Sequence, residues 1–156
     1  MPKRLLFSAI SLLLMVTILS GCIGSSKMPF NGDITFNEIT LTIPERFIRD
    51  STQSNDDLWV FEHDNYSEMI LISRSEIVGD VTLSLETYID YMKEKDAESS
   101  MTTFLDKDAV FSSYYIDDVF CQEILFPHND HFYAVALRGG TEEGFEEISK
   151  TVAIIA

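Results

Sequence analysis

Short runs of alternating apolar and polar residues recur along most of the chain, which is the pattern of strands with one buried face. In the clearest run, Ile39, Leu41 and Ile43 alternate with threonines. The pattern predicts strands at residues 34–36, 39–43, 58–63, 69–74, 102–105, 110–116, 119–126 and 131–138. The separators are rich in Asp, Asn, Gly and Pro, so a hairpin over residues 58–74 and an antiparallel meander over residues 102–138 are expected. Residues 45–57 are mostly polar and are expected to form a loop.

Two further segments have the periodicity of amphipathic helices. The first covers residues 84–95, with Ser84 as the expected N-cap. Its apolar residues form one stripe that should face the core, namely Leu85, Tyr88, Ile89 and Met92. The second helix is expected over residues 142–151, after the capping residue Thr141. Its inward residues are expected to be Phe145, Ile148 and Val152.

The N-terminal residues have the layout of a secretory signal peptide. Lys3 and Arg4 precede an apolar run over residues 5–18, and the small residues Ser20 and Gly21 follow it. This run is shorter than the roughly 18 to 20 residues that span a bilayer. We therefore expect cleavage, with an uncleaved N-terminal anchor as the alternative.

The sequence Leu19-Ser20-Gly21-Cys22 resembles the lipobox of bacterial lipoproteins. The resemblance implies cleavage between Gly21 and Cys22 and a diacylglycerol thioether on the Cys22 sulfur. It divides the chain into a lipoprotein signal peptide (residues 1–21), a lipidated tether (22–33) and a single α/β domain (34–156). The expected location is the extracytoplasmic face of the cell membrane, or of an outer membrane if the organism has one.

The charge balance restricts the partners of this domain. The chain has 26 acidic and 11 basic residues, for a net charge of −15. Loss of Lys3 and Arg4 leaves 9 basic residues and a net charge of 9 − 26 = −17. Such a surface repels phosphate backbones and anionic headgroups, which argues against nucleic acid as a partner. We expect membrane contact only through the lipid on Cys22, and an envelope or secreted protein as the partner.

The motifs of several enzyme classes are missing from the sequence. It contains no G-x-S-x-G elbow, Walker loop or G-x-G-x-x-G, and no cofactor is expected. Cys121 lies in a predicted strand and, with Cys22 lipidated, has no partner within the chain. A buried, inert thiol is favoured over an intermolecular disulfide or a reactive nucleophile.

The best candidate for a metal site is the turn Pro127-His128-Asn129-Asp130-His131, together with His63 on another hairpin. Imidazole groups suit zinc or copper. Histidines at turns and strand ends are more often ordinary solvated residues, so no metal site is predicted. His63, His128 and His131 are the candidates if one exists.

Two segments and the order of the predicted elements resemble the PsbP-like family. The segments are LTIPERF (residues 41–47) and GFEEISKTVAII (residues 144–155). Phe47 stands where the family often has tryptophan, and the chain ends in Ile154-Ile155-Ala156 instead of the frequent serine-phenylalanine close. The family includes the photosystem protein PsbP, bacterial lipoproteins and a nuclear-transport cofactor that binds the Ran GTPase. The resemblance implies an α/β/α sandwich around a mainly antiparallel sheet, and a binding or assembly module without catalysis.

We therefore expect a membrane-anchored, extracytoplasmic lipoprotein that acts as a non-enzymatic binding or assembly module. One alternative is a metal-binding protein or enzyme that uses His128 and His131. Another is an inhibitor or immunity lipoprotein that neutralises a basic toxin or hydrolase, for which the acidic charge is the only indication.

Overall fold

The computed structural model describes residues 32–63 and 67–155. Within these ranges, ten strands and two helices follow one another along the chain. The strands are β1 (Gly32–Phe36), β2 (Ile39–Ile43), β3 (Phe47–Asp50), β4 (Leu58–His63), β5 (Met69–Glu76), β6 (Glu98–Phe104), β7 (Lys107–Ile116), β8 (Val119–His128), β9 (His131–Arg138) and β10 (Ala153–Ile154). The helices are α1 (Val81–Lys93) and α2 (Glu142–Ser149).

The strands form two antiparallel sheets. The larger has seven strands in the order β3-β4-β5-β9-β8-β7-β6, and the smaller has three in the order β1-β2-β10. Strands β6 to β9 pair consecutively, so the predicted meander is confirmed. The hairpin of β4 and β5 is confirmed as well. The mainly antiparallel sheet with two helices that the sequence predicts is therefore present.

The two helices cover opposite faces of the larger sheet, because side chains alternate between the faces along each strand. On β8, Cys121 and Leu125 belong to the core beneath α1. Ile124 and Phe126 point to the other face of β8 and belong to the core beneath α2. The smaller sheet packs into this second core. The layer over that face is thus part helix and part sheet, where the predicted sandwich had helices alone.

The predicted loop over residues 45–57 is wrong in one part, because β3 forms there and pairs with β4. Phe47 is fully buried, while the other three residues of β3 are partly exposed. A four-residue edge strand with one buried residue is too short to show alternation. Its sequence signal is therefore lost among the polar neighbours.

Helix α1 has the predicted buried stripe but begins three residues earlier than predicted. Its N-cap is Asp80, whose carboxylate accepts a hydrogen bond from the Leu83 amide at 2.9 Å. Ser84 lies inside the helix, where its hydroxyl donates to the Asp80 carbonyl at 2.7 Å. The predicted cap of α2 is confirmed, since Thr141 accepts a hydrogen bond from the Gly144 amide.

Candidate functional site

A cleft of about 390 Å³ lies between α2 and strands β6 to β8. Helix α2 packs mainly against β2, β8 and β9, and the cleft lies on the side of the helix that faces β6 and β7. The size is within the range of about 300–1,000 Å³ that is usual for small-ligand sites. The apolar part of its lining consists of Phe104, Phe111, Ile124 and Phe145.

The aromatic rings of the cleft are held by the core below them. Phe111 packs against Phe145 of α2 with ring centroids 5.9 Å apart, and Phe104 packs against Phe126 at 5.1 Å. Phe104 and Phe111 are only partly buried. The cleft therefore presents aromatic surface that the domain does not cover itself.

A buried amide lies among these rings. Gln122 lines the cleft and is 6% exposed, and its Oε1 has no hydrogen-bond partner. A buried acceptor without a partner costs about 1–3 kcal/mol. Because Oε1 itself is buried, a ligand with a hydrogen-bond donor would recover that free energy when the amide rotates towards the cleft.

The helix side of the cleft is acidic. Glu142 and Glu146 both line it, one turn apart on α2. Glu146 forms an ion pair with Lys150 at 2.9 Å, in which both side chains are mostly exposed. Exposed pairs of this kind contribute only about 0–1 kcal/mol. The Glu146 carboxylate is therefore readily available to another cation.

A second buried polar group lies on the opposite face of the sheet, beneath α1. Glu123 is 1% exposed, and its carboxylate accepts hydrogen bonds from the hydroxyls of Tyr88 and Tyr114, the latter at 3.4 Å. Burial raises the pKa of Glu123 to about 7, although both hydrogen bonds act in the other direction. Burial also raises the pKa of both tyrosines, which therefore remain donors. Because the group is enclosed in the core, we assign it a structural role.

Cys121 packs in the same core. It is 2% exposed, and burial raises the pKa of its thiol to about 11. At neutral pH the thiolate, which is the reactive form, is a very small fraction. The predicted burial of this thiol is confirmed.

The turn between His128 and His131 forms, but it does not bring three metal ligands together. His128 and His131 face each other across the turn between β8 and β9. Next to them, the Glu38 carboxylate accepts hydrogen bonds from Asn129 at 2.8 Å and Tyr133 at 3.1 Å. The hydrogen bond from Asn129 is the largest cause that lowers the pKa of Glu38. In residues 32–63 and 67–155, no group of three or more His, Cys, Asp or Glu side chains is arranged to hold a metal ion.

His63 is far from this turn. It packs edge-to-face against Phe47, with ring centroids 6.1 Å apart. Its neighbour Glu62 pairs with Met69 at one end of β5, whereas His131 pairs with Glu76 at the other end. Seven residues of strand separate these ends by roughly 20 Å. His63 therefore does not lie beside His128 and His131.

The predicted signal peptide, the cleavage site at Gly21 and Cys22, and most of the tether lie outside the described residues. In the part of the chain that the structure covers, neither helix has the length and apolar composition that would let it cross a membrane.

Sequence reasoning missed both Gln122 and Glu123 as residues of interest. Their position in the strand run of residues 119–126 would place them on opposite faces, each among apolar neighbours. Two polar residues in the middle of a long apolar run were the available signal. The run does not show which residues of other elements the two side chains contact.

Comparisons with known proteins define the fold. No protein-family profile matches the sequence, and no curated protein is a significant relative. The solution structure of cyanobacterial PsbP (CyanoP) from Synechocystis sp. PCC 6803 matches with a TM-score of 0.57 and 11% identity, over 86% of this chain and 98% of that chain. A Bacteroides thetaiotaomicron protein matches with a TM-score of 0.53 and 14% identity, over 81% of this chain and 50% of that chain. The chain therefore has a PsbP-like fold, as the resemblance implied.

Proposed function

We propose that this protein is an extracytoplasmic lipoprotein, anchored through Cys22, whose PsbP-like domain binds an envelope or secreted protein without catalysing a reaction. The observation that carries the binding role is the cleft beside α2, with its aromatic floor and polar rim. That composition is typical of binding sites.

The chemistry of the cleft favours binding over catalysis. The described lining residues include Ser149 but no His, Lys or Cys, and the Ser149 hydroxyl donates to the backbone carbonyl of Glu146 at 3.3 Å instead of to a side chain that could act as a base. Glu142 and Glu146 lie on the same side of the cleft, one turn apart on a single helix. Paired catalytic carboxylates instead flank the bond that they cleave.

The anchor is supported by the sequence. The lipobox-like segment ends at Cys22, and β1 begins ten residues later at Gly32. Two or more acyl chains on Cys22 would make the attachment durable.

The test of the anchor uses the native protein from its host membranes. Mass spectrometry is expected to find Cys22 at the N-terminus with a diacylglycerol on its sulfur, and fractionation to find the protein in the membrane. A bare Cys22 sulfur or a retained leader would overturn the anchor.

The test of the binding role is crosslinking in intact cells, followed by affinity purification. A specific, non-covalently held protein partner is the expected result. Capture of a secreted hydrolase with loss of its activity would identify an inhibitor. Failure to recover any partner above a lipoprotein control would count against the binding role.

A further inference from the structure

We propose that the cleft between α2 and strands β6 to β8 receives a lysine or arginine side chain of the protein partner. The inference rests on the proposed function and specifies what its site recognises. Three features surround this one cavity: an aromatic floor, a buried hydrogen-bond acceptor without a partner, and two carboxylates.

The floor suits the stem of a long cationic side chain. Lys and Arg carry three or four methylenes that pack on apolar surface while the charged head stays near polar groups. Phe104 and Phe111, which are partly exposed, supply that surface next to the buried Phe145, and aromatic rings also attract cations. A ligand without an apolar stem would leave these rings exposed to water.

The rim suits the charged head. Glu142 and Glu146 place two carboxylates on one wall, in a chain whose net charge is −15. Phosphates and carboxylates are repelled from such a surface, and cations are attracted. Lys150 already reaches Glu146 from the same helix, which shows that an ammonium group can be held at this position.

Gln122 gives the cleft an acceptor that the domain leaves unused. Its side chain is nine-tenths buried and lines the cavity, and its Oε1 has no partner. An ammonium group has three donors and a guanidinium group has five, and neither has an acceptor. Oε1 itself is buried, so it meets a cationic head when the amide rotates towards the cleft, and a carboxylate would not match it.

A protein segment is favoured over a free cation because an edge strand borders the cleft. β6 is the last strand of the seven-stranded sheet, and its exposed residues Thr102 and Thr103 line the cavity. The outer edge of such a strand has backbone groups that can pair with an extended peptide. A peptide paired beside β6 would direct alternate side chains towards the face of the sheet on which the cleft lies.

The test measures binding of capped fluorescent pentapeptides, Ser-Thr-Xaa-Thr-Ser, to the full lipidated chain in dodecyl maltoside micelles, with empty micelles as background. Xaa is arginine, lysine, citrulline or norleucine. Fluorescence anisotropy is expected to give affinities about tenfold higher for arginine and lysine than for the two neutral isosteres.

Matched variants separate the cleft from the general charge of the protein. Glu142→Gln combined with Glu146→Gln is expected to reduce arginine-peptide affinity about tenfold. Glu143→Gln combined with Glu147→Gln makes the same charge change on the same helix, outside the cleft lining, and should change affinity by less than about twofold. Lys150→Gln frees Glu146 and should increase affinity. Circular dichroism melts verify that each variant is folded.

Equal affinity for the neutral peptides, equal losses in the two double variants, or no binding of any peptide would overturn the proposal. Binding of free arginine amide as tight as that of the arginine peptide would show a small-cation site and also overturn it. Crosslinking in cells separates this failure from that of the proposed function. If wild type and Glu142→Gln/Glu146→Gln capture the same partner equally, the protein is still a binding module. The cleft is then not the site at which it binds that partner.

Discussion

The Tyr88 hydroxyl of α1 donates a hydrogen bond to the Glu123 carboxylate of β8, deep in the core between helix and sheet. Each residue comes from a different element, 35 positions apart in the sequence. Apolar contacts dominate this interface, as the buried stripe of α1 shows. The hydrogen bond therefore adds a polar, pH-dependent contribution to the docking of α1.

The first prediction is that the contribution of Glu123 to folding stability decreases as pH rises towards 7. The pKa of Glu123 is about 7 in the folded protein, against a usual value of 4.5. Between these values the folded state holds a proton that the unfolded state has released, so protonation stabilises the fold. The contribution is fully present below about pH 4.5 and is lost as pH rises through about 7. Its upper size is on the order of 3 kcal/mol.

Glu123→Gln is the control for that measurement, because the amide is neutral at every pH and still accepts hydrogen bonds. The other carboxylates titrate in both proteins. Their contribution therefore cancels in the difference in free energy of unfolding between wild type and Glu123→Gln. Urea unfolding from pH 4.5 to 8 should show this difference shifting in favour of the variant. A difference that stays constant with pH would contradict the assignment.

The second prediction concerns the donor. Tyr88→Phe removes a hydroxyl without changing the ring, which leaves Glu123 with the longer hydrogen bond from Tyr114. The free energy of unfolding should fall by about 1–3 kcal/mol, with the larger loss above pH 7 where the carboxylate is charged. Tyr115→Phe is the comparison, since Tyr115 is 70% exposed. An equal effect in both variants would argue against a specific role of the Tyr88 hydroxyl.

The third prediction is that Cys121 reacts very slowly in the native protein. Its burial excludes reagent, and its pKa of about 11 keeps the sulfur protonated at neutral pH. Labelling with a chromogenic disulfide at pH 7.5 should proceed over hours in buffer and within minutes in urea. Rapid labelling without urea would show that the core around β8 opens readily.

The fourth prediction separates backbone strain from steric overlap at two glycines. Gly139 and Gly79 both have positive φ, at 77° and 94°. A Cβ at Gly139 would lie 1.9 Å from the Ser67 carbonyl oxygen, whereas one at Gly79 would have no heavy atom within 4 Å. Gly79→Ala should therefore destabilise by about 1–2 kcal/mol through strain alone, and Gly139→Ala by clearly more. Thermal unfolding of both variants tests this, and equal losses would contradict the role of the overlap.

The fifth prediction is that zinc binding is weaker than about micromolar. Zinc sites in proteins need three or four ligands, whereas among the described residues no three His, Cys, Asp or Glu side chains are arranged to hold a metal ion, His128 and His131 included. Isothermal titration of the wild type and of His128→Ala/His131→Ala should give the same weak signal. Tight binding that disappears in the double variant would favour the metal-binding alternative.

The sequence by itself determined the elements whose signals are local. The meander, the hairpin of β4 and β5, the buried stripe of α1 and the cap of α2 all follow from periodicity and turn chemistry within short segments. These features are predictable because side-chain direction repeats every 2 or 3.6 residues, so burial of one face appears directly in the sequence. The resemblance at residues 41–47 and 144–155 then led to the correct fold.

Only the tertiary structure decided what lies opposite each buried face. Periodicity places Gln122 and Glu123 on opposite faces, but it does not show that α2 lies near one and Tyr88 beside the other. Nor does it show that Glu142 and Glu146 share a cavity with rings from β6 and β7, or that His63 lies far from His131. These relationships depend on contacts between segments distant along the chain, and local patterns carry no information about such partners.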